Sequence, residues 1–216
     1  MDTYERTAKY IESIDKGNTD FLDELERFSI STNVPIIRKS VQNFLKTLLA
    51  LKKPVNILEV GTAIGFSSIL MAEYSDKDCH ITTIEKYEKR FPLAEENFEK
   101  SGYKDKITFI KGDATDVLKD LANKEETYDF IFMDAAKGQY INFLPDILNL
   151  LQKDGVLISD NALQGDDIIQ SKYAVQRRDR TIHKRMREYH YALMNSDELI
   201  TSILPIGDGI TLSVKK

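Results

Sequence analysis

The stretch Ile57-Leu58-Glu59-Val60-Gly61-Thr62-Ala63-Ile64-Gly65 decides the fold of this chain. A short apolar run that ends in a glycine-containing turn and leads into a helical pattern predicts a buried strand followed by a helix. The glycines allow a tight turn and let a ligand approach the backbone closely. The turn lacks the middle glycine with which dinucleotide-binding turns admit a pyrophosphate. Glu59 instead places a carboxylate before the turn, which favours a cationic ligand.

Outward from this turn, short apolar runs alternate with helical patterns. Such alternation predicts βαβ units, and therefore a parallel sheet with right-handed crossovers. The last two runs are close together, which predicts an antiparallel hairpin. The predicted strands are 55–60, 80–84, 107–110, 128–133, 155–159, 199–204 and 210–214, and the helices between them are 67–74, 88–101, 115–122, 141–151 and 175–194.

The residues before the first strand predict a helical cap or lid, 1–53, on a Rossmann-like core, 54–216, within a single domain. The fold class is thus α/β, with a seven-stranded, mostly parallel sheet, an antiparallel C-terminal hairpin and N-terminal helices. Three leading helices are expected: one over 4–14, one capped by Asn18 or Thr19, and one with Pro35 in its first turn.

The composition bounds the class of protein. A chain of 216 residues with 42% apolar residues suits one globular domain. No apolar run reaches the roughly eighteen residues of a membrane span, and the N-terminal residues lack the apolar segment of a signal peptide. With Cys79 as the only cysteine, a reducing, cytoplasmic location is expected. The net charge of −5 argues against an overall basic nucleic-acid binder, although binding depends on where the charges lie.

Acidic residues follow the next two strands, where ligands of open α/β sheets bind. Glu85 is positioned to hold a ribose diol by two charge-assisted hydrogen bonds. Asp113 can accept from an adenine amino group, and the Ala114 N–H can donate to the ring. Acidic strand ends without a phosphate grip predict adenosine joined to a zwitterionic tail, which describes S-adenosylmethionine.

A second acidic set follows the fourth and fifth predicted strands. Asp134, Asp160 and the amide oxygen of Asn161 should converge at the same sheet edge. Three oxygen ligands without His or Cys specify a hard cation such as Mg²⁺, with open positions for two substrate oxygens. Lys137, close behind Asp134, is the candidate general base or oxyanion-stabilising group.

Three of these segments resemble the catechol and caffeoyl-CoA O-methyltransferase family: Ile57-Leu58-Glu59-Val60-Gly61-Thr62, Phe132-Met133-Asp134-Ala135-Ala136-Lys137 and Ser159-Asp160-Asn161. The resemblance implies a class I methyltransferase fold, S-adenosylmethionine, Mg²⁺ (or Mn²⁺) on Asp134, Asp160 and Asn161, catalysis by Lys137 with Asp134, and a homodimer. It implies in-line attack of a hydroxyl oxygen on the sulfonium methyl group. The expected cofactor-binding residues are Glu59, Gly61, Thr62, Gly65, Ser67, Glu85, Asp113, Ala114 and Asp134.

A narrower resemblance rests on two further segments, Asn33-Val34-Pro35-Ile36-Ile37-Arg38 and residues 176–189. Both are similar to the bacterial branch that methylates 5-hydroxyuridine at the wobble position of the tRNA anticodon. The 5-hydroxyl and C4 carbonyl of that base present two vicinal oxygens, as a catechol does. The resemblance therefore implies a tRNA partner.

The segment 172–190 reverses the sign of the chain, with seven Lys or Arg against two acids. Helical spacing separates an apolar stripe from a basic stripe. A basic surface after the Asp160-Asn161 loop suits a polyanion, and Tyr173, Tyr189 and Tyr191 could stack on unpaired bases. The candidate RNA-binding residues are Arg177, Arg178, Arg180, Lys184, Arg185 and Arg187.

Other interpretations remain open at this point. By charge alone, a nucleic acid and a phosphorylated carrier such as coenzyme A are equally supported, and a solvated amphipathic helix is the plain alternative. A small-molecule enzyme acting on catechols or caffeoyl-CoA-like esters is the second hypothesis. A non-catalytic binding module is the third, disfavoured because Asp134, Lys137, Asp160 and Asn161 are all present.

Overall fold

Seven strands form one twisted sheet in a computed structural model that describes residues 3–163, 167–171 and 173–216. Their order is β3-β2-β1-β4-β5-β7-β6, and only β7 runs antiparallel to both its neighbours. The predicted α/β fold with an antiparallel C-terminal pair is confirmed. The strands are β1 (Asn56–Val60), β2 (His80–Glu85), β3 (Ile107–Lys111), β4 (Tyr128–Met133), β5 (Leu151–Ser159), β6 (Leu199–Leu204) and β7 (Ile210–Lys215).

Helices cover both faces of the sheet, so the central strands are mainly apolar. Phe130, Ile131 and Phe132 in β4 are fully buried, as a strand enclosed on both sides requires. One hydrophobic cluster packs helices α2, α3, α4 and α5 against one face of the sheet. A second cluster packs α6, α7 and α8 against the other face. The helices are α1 (Thr3–Ser13), α2 (Asp20–Thr32), α3 (Lys39–Lys52), α4 (Phe66–Tyr74), α5 (Phe91–Ser101), α6 (Ala114–Asn123), α7 (Tyr140–Leu150) and α8 (Arg180–Met194).

The strand order reverses between β1 and β4. The chain leaves β1 towards β2 on one side, whereas β4 pairs with β1 on the other side. At such a switch point the connections diverge and leave a crevice at the carboxyl ends of the strands. Within the three described ranges, no helix is both long and apolar enough to cross a bilayer.

Two expectations for the N-terminal helices were wrong. The helix α3 begins at Lys39, so Pro35 lies outside it, in a segment that instead lines the central cavity. Thr19 occupies the N-cap position of α2, but its hydroxyl donates to Glu73 Oε2 at 2.9 Å and does not cap the helix. The Asn18 side chain likewise donates to Gln42, at 2.8 Å. Tertiary partners therefore outcompete the local cap.

The basic helix α8 is shorter than predicted. It begins at Arg180, so Arg177 and Arg178 lie in the preceding turn. The side chain of Arg180 donates to the Val175 carbonyl at 3.3 Å, and the Asp179 N–H donates to the Gln176 carbonyl at 2.9 Å. These bonds close a turn where the prediction placed a helix from residue 175.

Candidate active site

A cavity of about 660 Å³ lies at the carboxyl ends of the parallel strands. It brings together residues from both predicted halves of the site, cofactor and metal. Glu59 and Gly65 are not among its lining residues. The predicted residues that line it are Gly61, Thr62, Ser67, Glu85, Asp113, Ala114, Asp134, Lys137, Asp160 and Asn161.

Gly61 joins the two halves of the cavity. Its backbone is in the left-handed region, with φ of 110°, and a Cβ atom there would collide with the Asp134 carbonyl oxygen. The N–H groups of Gly61 and Thr62 both donate to the Ile84 carbonyl, at 3.0 and 3.1 Å. A glycine is therefore required where the turn after β1 lies between β2 and the loop after β4.

Glu59 is a fully buried carboxyl group beside this turn. It accepts hydrogen bonds from the hydroxyls of Thr83, at 2.5 Å, and Ser68. Its Oε1 atom has no hydrogen-bond partner among the described residues. Burial raises the pKa of Glu59 to about 7, against the opposing effect of the hydroxyl donors. A buried acid with one oxygen to spare fits a positively charged or proton-donating group above it.

Glu85 is held by the backbone on three sides. Its Oε2 atom accepts from the Ala63 N–H at 2.8 Å, and its Oε1 atom accepts from Lys86 and Tyr87 at 2.9 and 2.8 Å. A carboxylate offers about four acceptor positions, so the three N–H groups leave about one for a hydroxyl group. The carboxylate is therefore fixed in place before any ligand arrives.

Asp113 caps helix α6. Its Oδ1 atom accepts from the Thr115 N–H at 2.9 Å, and this bond is the main cause of a lowered pKa of Asp113. Ala114 is the first residue of the helix, where an N–H has no intrahelical acceptor. The pair thus offers an acceptor and a donor on the cavity wall.

Asp134, Asp160 and Asn161 converge as the sequence suggested. Asn161 Nδ2 donates to Asp134 Oδ1 at 3.1 Å, and the Asn161 N–H donates to Asp160 Oδ1 at 2.7 Å. Burial raises the pKa of both acids, that of Asp160 to about 7 with Asp134 as the second cause. The described residues contain no cluster of three acids, histidines or cysteines. A cation here therefore depends on the Asn161 amide oxygen as its third protein ligand.

Lys137 provides the positive charge of this region. It begins a short 3-10 helix, Lys137–Gln139, and lines the same cavity as the two acids. Its charge lowers the pKa of both Asp134 and Asp160, although burial outweighs it. As an ammonium group, Lys137 can stabilise a developing oxyanion on a substrate placed between the two acids. Only in its neutral amine form can it accept a proton from that substrate.

Sequence reasoning missed an ion pair at the cavity rim. Arg38 contacts Asp208 through two bonds, Nε to Oδ2 at 2.9 Å and one terminal nitrogen to Oδ1 at 2.8 Å. Both residues line the cavity, and Asp208 further raises the pKa of Asp134 and Asp160. No local pattern could pair residues 170 positions apart.

The predicted RNA-binding residues form a basic surface with several internal contacts. Arg187 donates to the Ile168 carbonyl at 3.3 Å, Lys184 lies 3.5 Å from Glu188, and Arg178 lies 3.4 Å from Asp179. The acids thus engage part of the charge. Arg180, Lys184, Arg185 and Arg187 line an open groove together with Tyr173 and Tyr191, and Lys172 lies outside the described residues.

Two residues of α8 serve the protein interior. Tyr189 is fully buried, so the suggestion that it stacks on bases was wrong. Its hydroxyl lies 2.6 Å from Ser159 Oγ, because the apolar stripe of the helix faces the sheet. Arg185 is half-buried and donates to the Gly138 carbonyl at 2.9 Å. Tyr173 and Tyr191 remain largely exposed.

The family of the chain follows from comparison with known proteins. Residues 12–216 match the model of a family described as O-methyltransferase. The chain belongs to this O-methyltransferase family. Membership confirms the prediction of an S-adenosylmethionine-dependent O-methyltransferase of the caffeoyl-CoA type.

Particular relatives support this assignment. The chain is 32% identical to caffeoyl-CoA O-methyltransferase 1 of Arabidopsis thaliana over 173 residues, covering 78% of this chain and 67% of the plant protein. A candidate caffeoyl-CoA O-methyltransferase from Staphylococcus aureus is 28% identical, with a TM-score of 0.88 over 100% of both chains. The SAH-bound methyltransferase PaMTH1 of Podospora anserina is 26% identical, with a TM-score of 0.87 over 99% of this chain and 95% of that one.

Proposed function

We propose that this O-methyltransferase transfers the methyl group of S-adenosylmethionine to one of two adjacent oxygen atoms of its acceptor, with a divalent cation at Asp134, Asp160 and Asn161. The observation that carries the proposal is the convergence of two buried carboxylates, an amide and Lys137 in the cavity that also holds the cofactor turn. The oxygen donor set fits Mg²⁺ or Mn²⁺.

The cofactor half of the cavity fits S-adenosylmethionine residue by residue. Glu85 would receive a ribose hydroxyl at its remaining acceptor position, and Asp113 with the Ala114 N–H would hold the adenine edge. Glu59, with its unpartnered Oε1, lies near the turn over which the positively charged methionine part would pass. The relative PaMTH1 is SAH-bound, which supports a cofactor of this class.

The cation would supply Lewis-acid activation that lowers the pKa of an acceptor hydroxyl. Lys137 lines the cavity beside the acids and would accept the hydroxyl proton or stabilise the developing oxyanion. The acceptor oxygen then forms a bond to the methyl carbon as the carbon–sulfur bond breaks, and its electron pair stays on sulfur. The cavity walls contribute by holding the oxygen in line with that bond.

For the acceptor, we propose 5-hydroxyuridine at the tRNA wobble position, converted to 5-methoxyuridine. The support is the basic groove along α8, which combines Arg180, Lys184 and Arg187 with exposed Tyr173 and Tyr191. Phosphate contacts and stacking on unpaired bases are how single-stranded RNA is held. The groove follows the metal-bearing loop in the chain and contacts the Lys137 loop through Arg185.

A small-molecule acceptor is the second candidate. The named plant relatives are caffeoyl-CoA O-methyltransferases at 32% identity, and on comparison alone this acceptor class is better supported than RNA. The same cations of α8 could bind the phosphates of coenzyme A. A catechol-like diol presents the same pair of adjacent oxygens.

Methyl transfer from labelled S-adenosylmethionine separates the candidates. The acceptors are tRNA containing 5-hydroxyuridine, caffeoyl-CoA and a simple catechol, each with and without a chelator. We expect chelator-sensitive label in tRNA. If only the small molecules were labelled, the proposed cofactor and metal site would stand and the RNA acceptor would be refuted.

A matched pair of variants sharpens this test. Reversing Arg177, Arg180 and Lys184 to Glu should abolish transfer to tRNA while cofactor affinity stays unchanged, because phosphate contacts are lost. The control reverses three exposed lysines, Lys77, Lys124 and Lys153. They lie just before β2, just before β4 and near the start of β5, away from the carboxyl ends of the strands. Unchanged turnover on tRNA in the first variant would refute the role of α8.

A further inference from the structure

We infer that Tyr140 is a positioning residue that sets the spacing of the two strand ends carrying Asp134 and Asp160. The inference rests on the metal site of the proposed function. The Tyr140 hydroxyl oxygen accepts from the Ala135 N–H at 3.2 Å. It also lies 3.2 Å from the Met133 carbonyl oxygen and 3.3 Å from that of Asp160.

One hydroxyl group thus contacts three backbone groups. It has a single hydrogen, so it donates to one of the two carbonyls at a time or divides the bond between them. Both distances exceed the roughly 2.7 to 2.8 Å of an undivided O–H···O bond, which fits a divided one. The Tyr140 hydroxyl is therefore a bridge between the end of β4 and the end of β5.

These backbone groups belong to the candidate metal ligands or their direct neighbours. Ala135 follows Asp134, and the third contact is the carbonyl of Asp160 itself. The Asp160 N–H donates to the Met133 carbonyl at 2.9 Å, so the bridge reinforces a link that already joins the two strand ends. The position of each carboxylate depends on this linked backbone.

The two carboxylates do not attract each other, so their approach needs support from elsewhere. Both side chains are carboxylates that line one cavity, and like charges at close range repel each other. A bond between side chains, from Asn161 to Asp134, links the two ligand segments directly. The Tyr140 hydroxyl provides a second link that carries no charge and leaves the ligand oxygens free for a cation.

Tyr140 is itself held firmly. It is the first residue of α7, is fully buried, and packs edge-on against Tyr189 with ring centroids 5.5 Å apart. The Tyr189 hydroxyl contacts Ser159, the residue before Asp160. A phenol is neutral near pH 7, so the group keeps its hydrogen. Its part is to position the loops and not to transfer protons.

The substitution Tyr140→Phe tests this inference, because it removes the hydroxyl and keeps the ring. The measurement is the affinity for Mn²⁺ by calorimetry, with the protein saturated by SAH. Outer residues that orient metal ligands typically contribute about 10- to 100-fold in affinity, and a loss in that range is expected. The affinity for SAH itself should change by less than about twofold, as for uncoupled sites.

Tyr128→Phe is the matched control. Tyr128 is another buried tyrosine. It lies at the amino-terminal end of β4, opposite to the end that carries Asp134, and is hydrogen-bonded to Thr82. Its loss should leave Mn²⁺ affinity unchanged. Wild-type Mn²⁺ affinity in Tyr140→Phe, or an equal loss in both variants, would overturn the inference. Absence of Mn²⁺ binding to the wild-type protein would instead refute the metal site.

A second variant covers a folding failure, which would show as loss of SAH binding by Tyr140→Phe. Tyr189→Phe removes the contact to Ser159 and leaves the ligand residues untouched. The contact that it removes is to Ser159, the neighbour of Asp160, and not to Asp160 itself. We therefore expect a smaller loss of Mn²⁺ affinity, with SAH binding retained. Unchanged Mn²⁺ affinity in this variant would count against the positioning role.

Discussion

Carboxylates at the two halves of the cavity are held in opposite ways. On the cofactor side, Glu85 receives three backbone N–H groups and Asp113 caps a helix. On the side of the proposed metal site, burial raises the pKa of Asp134 and of Asp160, and at Asp160 the charge of Asp134 raises it further. The first pair is already satisfied by the protein, whereas the positive charge of Lys137 offsets the burial of the second pair only in part.

The difference shows that the residue type alone does not define the role of an acid at a strand end. A carboxylate with backbone donors has a fixed geometry and offers its remaining lone pairs to neutral hydroxyl or amino groups. A carboxylate buried beside another acid favours a proton or a cation. The two halves therefore select different parts of the reaction complex, one by hydrogen bonding and the other by charge.

Asp160→Asn is expected to have the largest effect on this contrast. Loss of a charged ligand should lower Mn²⁺ affinity by more than about 100-fold, beyond the effect of outer residues. It should also raise the melting temperature of the metal-free protein at pH 8, because one of two repelling buried charges is gone. Calorimetry and thermal unfolding measure both. A lower melting temperature would show that the pair is not under repulsion.

Glu85→Gln should affect the affinity for the cofactor and not the affinity for the metal ion. The neutral amide has one acceptor oxygen where the carboxylate has two. It cannot keep all three backbone N–H bonds and also bind the ribose diol through a charge-assisted hydrogen bond. Charge-assisted hydrogen bonds contribute about 1.5 to 3 kcal/mol, so affinity for S-adenosylmethionine should fall about 10- to 100-fold. Mn²⁺ affinity serves as the control and should stay constant. A loss confined to Mn²⁺ would contradict the division of labour between the two halves.

Glu59 sharpens the comparison, because it belongs to the cofactor half but lacks a partner for one oxygen. Its pKa is about 7 in the folded protein and 4.5 ordinarily, so the folded state holds the extra proton between these values. Stability is therefore lost as the pH rises towards and through 7. Between pH 6 and 8 this amounts to about 1.4 kcal/mol.

In Glu59→Gln this loss should be absent. The difference in unfolding free energy between variant and wild type, measured by urea titration without cofactor, should grow in favour of the variant by that amount. Using the difference removes the contribution of Asp160, which both proteins share. Asp134 interacts with Glu59, so its contribution cancels only in part. A constant difference across pH 6 to 8 would mean that Glu59 is already ionised at pH 6.

The sequence was most informative where burial is complete. The predicted bounds of β4 match the structure, because a strand covered on both faces is mainly apolar, as the run from Phe130 to Met133 is. The order of acidic residues at successive strand ends also predicted which side chains would meet, since parallel strands end at one edge. Asp134, Asp160 and Asn161 are in hydrogen-bond contact there.

Prediction failed where contacts distant in sequence compete with local preference. Pro35 fits the first turn of a helix, but the segment that contains it lines the cavity. The Val175 carbonyl is taken by the Arg180 side chain, so a helical pattern there closes a turn. The roles of Tyr140 and of the Arg38–Asp208 pair require knowing which backbone groups lie across from them.

Gly61 has a consequence for how such an enzyme can diverge. No side chain fits between residue 61 and the Asp134 carbonyl, so the turn after β1 packs directly against the loop after β4. A lineage can exchange the acceptor by altering α8 or the cavity rim at little cost to this contact. It cannot remodel the turn and the loop one at a time, so change at this centre of the molecule must be concerted.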